Sequence, residues 1–321
     1  MSADPAGMLD DVLAQPDQIE DAFWRVEGAG VPRGDLAGGL VVAGMGGSAI
    51  GGDLAAAIVG ERATGPIRTR RGYGLDPWTG ADALILCASY SGDTEETLAC
   101  YDEAGALGAP RVVLTTGGDL AERARADGVP VIGVPSGMQP RAAVVYMTVA
   151  ALECAAACGA APSLRAEVEG AVPVLEGLAD DDEPRRLAER LNERIAVVYG
   201  AGRTAAAAQR FKTQLNENAK VAAFASELPE ADHNEVCGAD PRLLAVFLDD
   251  DGLDPRLRAR IEATADVLGD SARVTARGTA PAERVMSLVM LGDLASVQLA
   301  YARGVDPTPV EAIDRLKERL G

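Results

Sequence analysis

One sequence of features occurs twice in this chain, and it leaves few folds open. The stretches GLVVAGMGGSAIGGDLAA (39–56) and RIAVVYGAGRTAAAAQRF (194–211) each read as an apolar run, a G-x-G turn, a hydroxyl residue and an alanine-rich helical segment. A short continuous apolar run is buried on both faces, as in a parallel sheet covered by helices on either side. A chain of 321 residues is long enough for two such cores.

The alternation extends through the first half. Strands are expected near 39–43, 66–70, 83–88, 111–115 and 130–134, and helices near 48–59, 94–107, 119–126 and 142–157, behind an amphipathic leading helix at 8–25. The small-residue break CGAAPS (158–163) divides the chain into domains 1–160 and 161–321. The expected fold is therefore α/β, with two doubly wound, flavodoxin-like parallel-sheet domains. In the second half a short strand VAAFA and a strand LLAVFLDDD (243–251) follow, the latter ending in three aspartates. That ending would repel an anion, so one anion site per chain is expected, in the first half.

Charge narrows the partners. A formal net charge of −19 repels nucleic acid and anionic membranes. The apolar segment 142–161 is long enough to span a bilayer, but it is mostly alanine, contains Glu153 and follows Arg141, which fits a buried helix. Five cysteines without a C-x-x-C pair, a single histidine and an acidic N-terminus predict a reduced cytoplasmic protein with no metal site.

Two turns carry the chemistry. In AGMGGSAIGGD (43–53) glycines lie between a strand and a helix, so Gly47, Ser48 and the helix N-terminus can face an anion. Gly44, Gly46 and Ala49 also fit the dinucleotide fingerprint G-x-G-x-x-G/A, with Arg70 and Arg71 placed for an NADP phosphate, so an oxidoreductase is a rival. In SYSGDTEET (89–97) the hydroxyls of Ser89, Ser91 and Thr94 stand beside further N–H donors, and two donor-rich strand ends suit one compact phosphate. Ser91 or Thr94 can alternatively serve as a plain helix cap. Asp53, Asp93, Glu95 and Glu96 crowd the same turns, and the sequence offers no account of how an anion tolerates them.

These turns resemble those of sugar isomerase (SIS) domains, and the later NENAK and HNEV resemble the bifunctional phosphoglucose/phosphomannose isomerase family along nearly the whole chain. The resemblance implies two SIS domains, a hexose 6-phosphate substrate, aldose–ketose isomerisation through an enediolate, no cofactor, and a homodimer. It places a base on Glu217, in TQLNENAK.

The family's ring-opening group falls on His233, the only histidine, in ELPEADHNEV, where the flanking Asp232 and Asn234 are expected to set the imidazole's tautomer; in the resembled family this histidine reaches the neighbouring subunit's site. Arg141 would hold enediolate charge, with a surface or helix-start arginine as the plain alternative. Of 30 lysines and arginines only three are lysines, Lys212, Lys220 and Lys317. Two of them flank the Glu217 motif, which suggests positions that favour a compact ammonium. Lys317 matches a family lysine that approaches the substrate; a solvated lysine is the alternative. The family's hexose-specificity hydroxyl falls near Val310 or Thr308. SIS domains also occur in regulators, so a non-catalytic sugar-phosphate sensor is the other alternative.

Overall fold

The computed structural model describes residues 4–320. The chain forms two compact units. The first comprises Ala14–Glu176 with Gly278–Met286; the second comprises Gly177–Arg277 with the residues before Ala14 and those after Met286. The expected division at 160/161 assigned Arg165–Glu176 to the second half, whereas that helix packs within the first unit.

The leading segment is two helices, α1 (Met8–Leu13) and α2 (Gln15–Ala29), and not the single helix expected over 8–25. Pro16 sits in the first turn of α2, where its missing N–H costs nothing but where the preceding helix cannot run through.

The first unit then alternates β1 (Gly39–Gly44), α3 (Gly46–Val59), β2 (Ile67–Arg70), β3 (Ala83–Ala88), α4 (Glu95–Leu107), β4 (Arg111–Thr115), α5 (Gly118–Asp127) and β5 (Val131–Gly133). A 3-10 turn at Pro140–Ala143, α6 (Val144–Ala157) and α7 (Arg165–Glu176) complete it. The sheet is parallel throughout, in the order β2-β1-β3-β4-β5. Every residue of β1 and β3 is buried, which is why both read as unbroken apolar runs. One face packs Val41, Ile85, Cys87 and Val113 against Tyr101, Leu120 and Ala124 from α4 and α5; α3 packs against α6, and α6 against α2.

The second unit repeats the order with α8 (Glu183–Leu191), β6 (Ile195–Ala201), α9 (Ala205–Glu217), β7 (Ala223–Leu228), β8 (Leu243–Asp249), α10 (Pro255–Leu268) and β9 (Ser271–Thr275). Its four parallel strands run β7-β6-β8-β9. Strand β7 begins two residues later than VAAFA suggested and continues through Glu227 and Leu228. Helix α11 (Pro281–Ala302) and the exposed α12 (Glu311–Leu320) close the chain. Pro140–Ala157 and Pro281–Ala302 have the length and hydropathy to cross a bilayer, and both are mostly buried inside the protein. Only the first of these overlaps the apolar segment expected at 142–161.

Candidate functional site

In a doubly wound sheet the ligand crevice opens where neighbouring strands send their crossovers to opposite faces. In the first unit that point lies between β1 and β3, whose last residues, Gly44 and Ala88, are register partners. The two turns singled out in the sequence therefore emerge side by side. They are also tied together, since the Tyr90 N–H donates to Ser48 Oγ at 3.1 Å.

The hydroxyls form one cluster. Ser89 Oγ lies 2.8 Å from Thr94 Oγ1 and 3.5 Å from Ser91 Oγ, and it accepts the Gly92 N–H at 3.0 Å. Ser89 is buried, Thr94 half-buried and Ser91 exposed, so the cluster grades from core to surface. Thr94 occupies the N-cap position of α4, yet its side chain makes no cap hydrogen bond, and Ser91 Oγ accepts the Asp93 N–H at 3.2 Å. Met45, the N-cap residue of α3, supplies no side-chain cap either. Both helix starts thus keep the donor-rich character that binds anions.

Arg141 comes to the same edge of the sheet. It lies in the 3-10 turn ahead of α6 and is only 3% exposed, which removes the surface-arginine alternative. A Cβ added to Gly47 would sit 3.1 Å from both Arg141 Cα and the Pro140 carbonyl oxygen, so glycine at 47 lets the β1 turn and the Arg141 turn touch. Gly92 does the equivalent for the β3 turn: at φ +84° its added Cβ would lie 1.9 Å from the Gly117 carbonyl oxygen.

Three of the four troublesome acids are engaged elsewhere. Asp53 pairs with Arg71. Asp93 Oδ1 accepts the Asp119 N–H at 2.9 Å, at the start of α5. Glu95 accepts the Tyr73 hydroxyl at 3.1 Å, a bond that pushes the phenol pKa up. Arg70 turns back on its own loop, donating to the Gly74 carbonyl at 2.7 Å and pairing with Asp76 at 3.3 Å. The two arginines that suggested an NADP phosphate site are therefore used in holding the loop after β2. The sequence did not flag Tyr73, whose partner lies 22 residues away.

In the second unit Glu217 is the last residue of α9 and is half-buried. The two residues around its turn explain themselves structurally. Lys220, at φ +56°, donates its ammonium to the carbonyls of Glu217 and Pro307, the latter at 3.1 Å, as a cation at a helix C-terminus should. Asn218 is fully buried and donates to Ser296 Oγ at 2.9 Å. Arg210 and Gln214 of α9 and Asn218 just past its end line one face, all buried, and Arg210 pairs with Asp293 of α11 at 2.7 Å.

His233 ends a 3-10 turn after Pro229 and is exposed, with no hydrogen-bond partner among the described residues. The expectation that its flanking residues set its tautomer fails. Asp232 turns to α10, accepting Arg260 at 3.0 Å and Thr264 at 2.6 Å, and Asn234 reaches back to Glu230. Lys317 is exposed on α12, as every residue of that helix from Glu311 to Arg319 is. The aspartates at the end of β8 are charge-matched, contrary to the expected bare acidic end: Arg203 pairs with Asp250, Arg258 with Asp249 and Asp251, and Arg273 with Asp249.

Residues 180–320 match the family described as bacterial phospho-glucose isomerase C-terminal SIS domain. A bifunctional phosphoglucose/phosphomannose isomerase of Caldicellulosiruptor bescii is 34% identical over 334 aligned residues, 98% of each chain. A protein of the same name from Aquifex aeolicus is 36% identical over 292, covering 88% of this chain and 90% of that one. Among solved structures, the C-terminal domain of glucosamine-fructose-6-phosphate aminotransferase from Francisella tularensis shares the fold, with a TM-score of 0.71 at 14% identity over 94% of this chain and 98% of that chain.

Proposed function

The chain belongs to the bifunctional phosphoglucose/phosphomannose isomerase family, and on that premise we propose how its residues divide the work. It is an aldose–ketose isomerase that interconverts fructose 6-phosphate with glucose 6-phosphate and mannose 6-phosphate. The substrate phosphate is held at Gly47, Ser48, Ser89, Ser91 and Thr94. The observation that carries this assignment is the hydroxyl cluster joined across two strand ends beside two helix starts without side-chain caps. Hydroxyl and amide donors make up this grip, which suits a protein whose net charge is strongly negative.

The remaining roles follow from what the reaction requires. His233 moves a proton at the ring oxygen and opens the sugar. Glu217 takes the proton from C2 and returns it to C1. Arg141 holds the charge that gathers on the enediolate oxygens, a task for an always-protonated guanidinium. Lys317 approaches the sugar, and Thr308 or Val310 tunes the choice of hexose. The protein works in the cytoplasm as a homodimer in which His233 serves the neighbouring subunit, a reading supported by an exposed imidazole that has no hydrogen-bond partner among the described residues.

Purified protein given fructose 6-phosphate, with glucose 6-phosphate and mannose 6-phosphate detected by separate coupled assays, tests the activity. Glu217→Gln is expected to lower kcat about 10²- to 10⁴-fold with unchanged circular dichroism. Mixing Glu217→Gln with His233→Ala restores turnover if the imidazole crosses to its partner, because one site in each mixed dimer is then intact. Wild-type turnover in Glu217→Gln removes the base, and an inactive mixture removes the shared site.

A further inference from the structure

We propose that Tyr90 is a positioning residue for the isomerisation, acting through Arg141; the assignment rests on the isomerase reading above. Tyr90 stands between the two serines of SYSGDT, and its backbone and side chain do different things. The backbone secures the strand ends: its N–H donates to Ser48 Oγ, and its carbonyl accepts the Thr116 N–H at 3.1 Å and the Thr116 hydroxyl at 2.8 Å. The side chain reaches across the mouth of the sheet to the segment after β5. There its hydroxyl donates to the Pro135 carbonyl at 3.0 Å and accepts the Met138 N–H at 3.2 Å.

That segment ends three residues later in Arg141. It contains Gly137 at φ +101°, and Ser136 and Gly137 are both exposed, so its own packing constrains it little. A tyrosine anchored at the β3 turn fixes its course. The same residue that bonds Ser48 at the β1 turn therefore sets the course of the segment that leads into Arg141. A structural filler would need only the ring; the hydroxyl matters because both its donor and its acceptor are used on the loop. The strand-end turns could hold a phosphate without it, whereas the arginine would lose its aim.

Tyr90→Phe keeps the ring and deletes both loop bonds. The expected result is a fall in kcat of about 10- to 100-fold with KM for fructose 6-phosphate changed by less than about twofold, because misplacing a charge-stabilising group by an ångström costs turnover and not phosphate binding. Hydrogen exchange at the Met138 amide should quicken in the same variant. In an Arg141→Lys background the additional substitution should cost little further, since both act through one group. Unchanged kcat in Tyr90→Phe overturns the proposal, as does an equal penalty in both backgrounds. A wild-type protein without turnover overturns the isomerase reading first, and this assignment with it.

Discussion

Removing Asp293 should destabilise the second unit more than any surface change could. Its carboxylate pairs with Arg210 at 2.7 Å, and the two side chains are 1% and 2% exposed, so neither solvent nor salt screens what is left behind. Asp293→Ala takes the paired carboxylate away from a guanidinium buried between α9 and α11. Breaking such a pair from one side costs about 3–5 kcal/mol, most of it the penalty of the stranded charge. For a unit of roughly 150 residues, at about 2–4 °C per kcal/mol, the transition falls by about 6–20 °C. Calorimetry or far-ultraviolet circular dichroism is the appropriate assay, because both tryptophans, Trp24 and Trp78, are exposed and lie in the other unit. Replacing both partners, Arg210→Met with Asp293→Leu, should recover most of the loss, since an apolar pair of similar volume strands no charge. A single-variant loss below about 1 kcal/mol, or a double variant as unstable as Asp293→Ala, would refute the reasoning.

Two further outcomes follow from ionisation. Cys87, Cys100, Cys154 and Cys158 are buried, and burial pushes each thiol up, whereas Cys237 is exposed. A thiol reagent should therefore modify one cysteine in the native protein and five after denaturation; two fast-reacting native thiols would contradict the packing. The Asp21 carboxyl is pushed up by burial but pulled down further by hydrogen bonds from Arg25 and Tyr146, so its folded pKa lies below the ordinary value. A depressed carboxylate contributes stability above its unfolded pKa and loses it as pH falls through the folded one. Asp21→Asn should thus melt below wild type at pH 7, with the gap closing below about pH 4; a gap that widens in acid would reverse the sign.

Much of the fold was legible because parallel strands buried on both faces leave a mark that needs no partner to read. GLVVAG and ALILCA are continuous apolar runs for that reason, and the glycine and hydroxyl turns after them follow directly. Pro16 marks the break at Ala14, but the amphipathic pattern continues on either side of it and hides the break. The start of β7 slipped because VAAFA is apolar in a place where the backbone is still leaving α9. The candidate site divides in the same way. Ser48, Ser89, Ser91 and Thr94 are close in sequence to the turns they serve, so local pattern found them. Tyr73, Tyr90 and the Arg210–Asp293 pair act on partners 22, 45 and 83 residues away, and nothing local marks them.

By itself the sequence determined which segments become strands, which turns follow them and which hydroxyls those turns carry, because these depend on short-range periodicity and on backbone freedom at glycine. Only the tertiary structure decided which acids near the site are engaged by other groups, whether Arg141 is buried or solvated, and whether His233 is exposed. Those are matters of charge pairing and burial, and both depend on which distant segments the sheet order brings side by side.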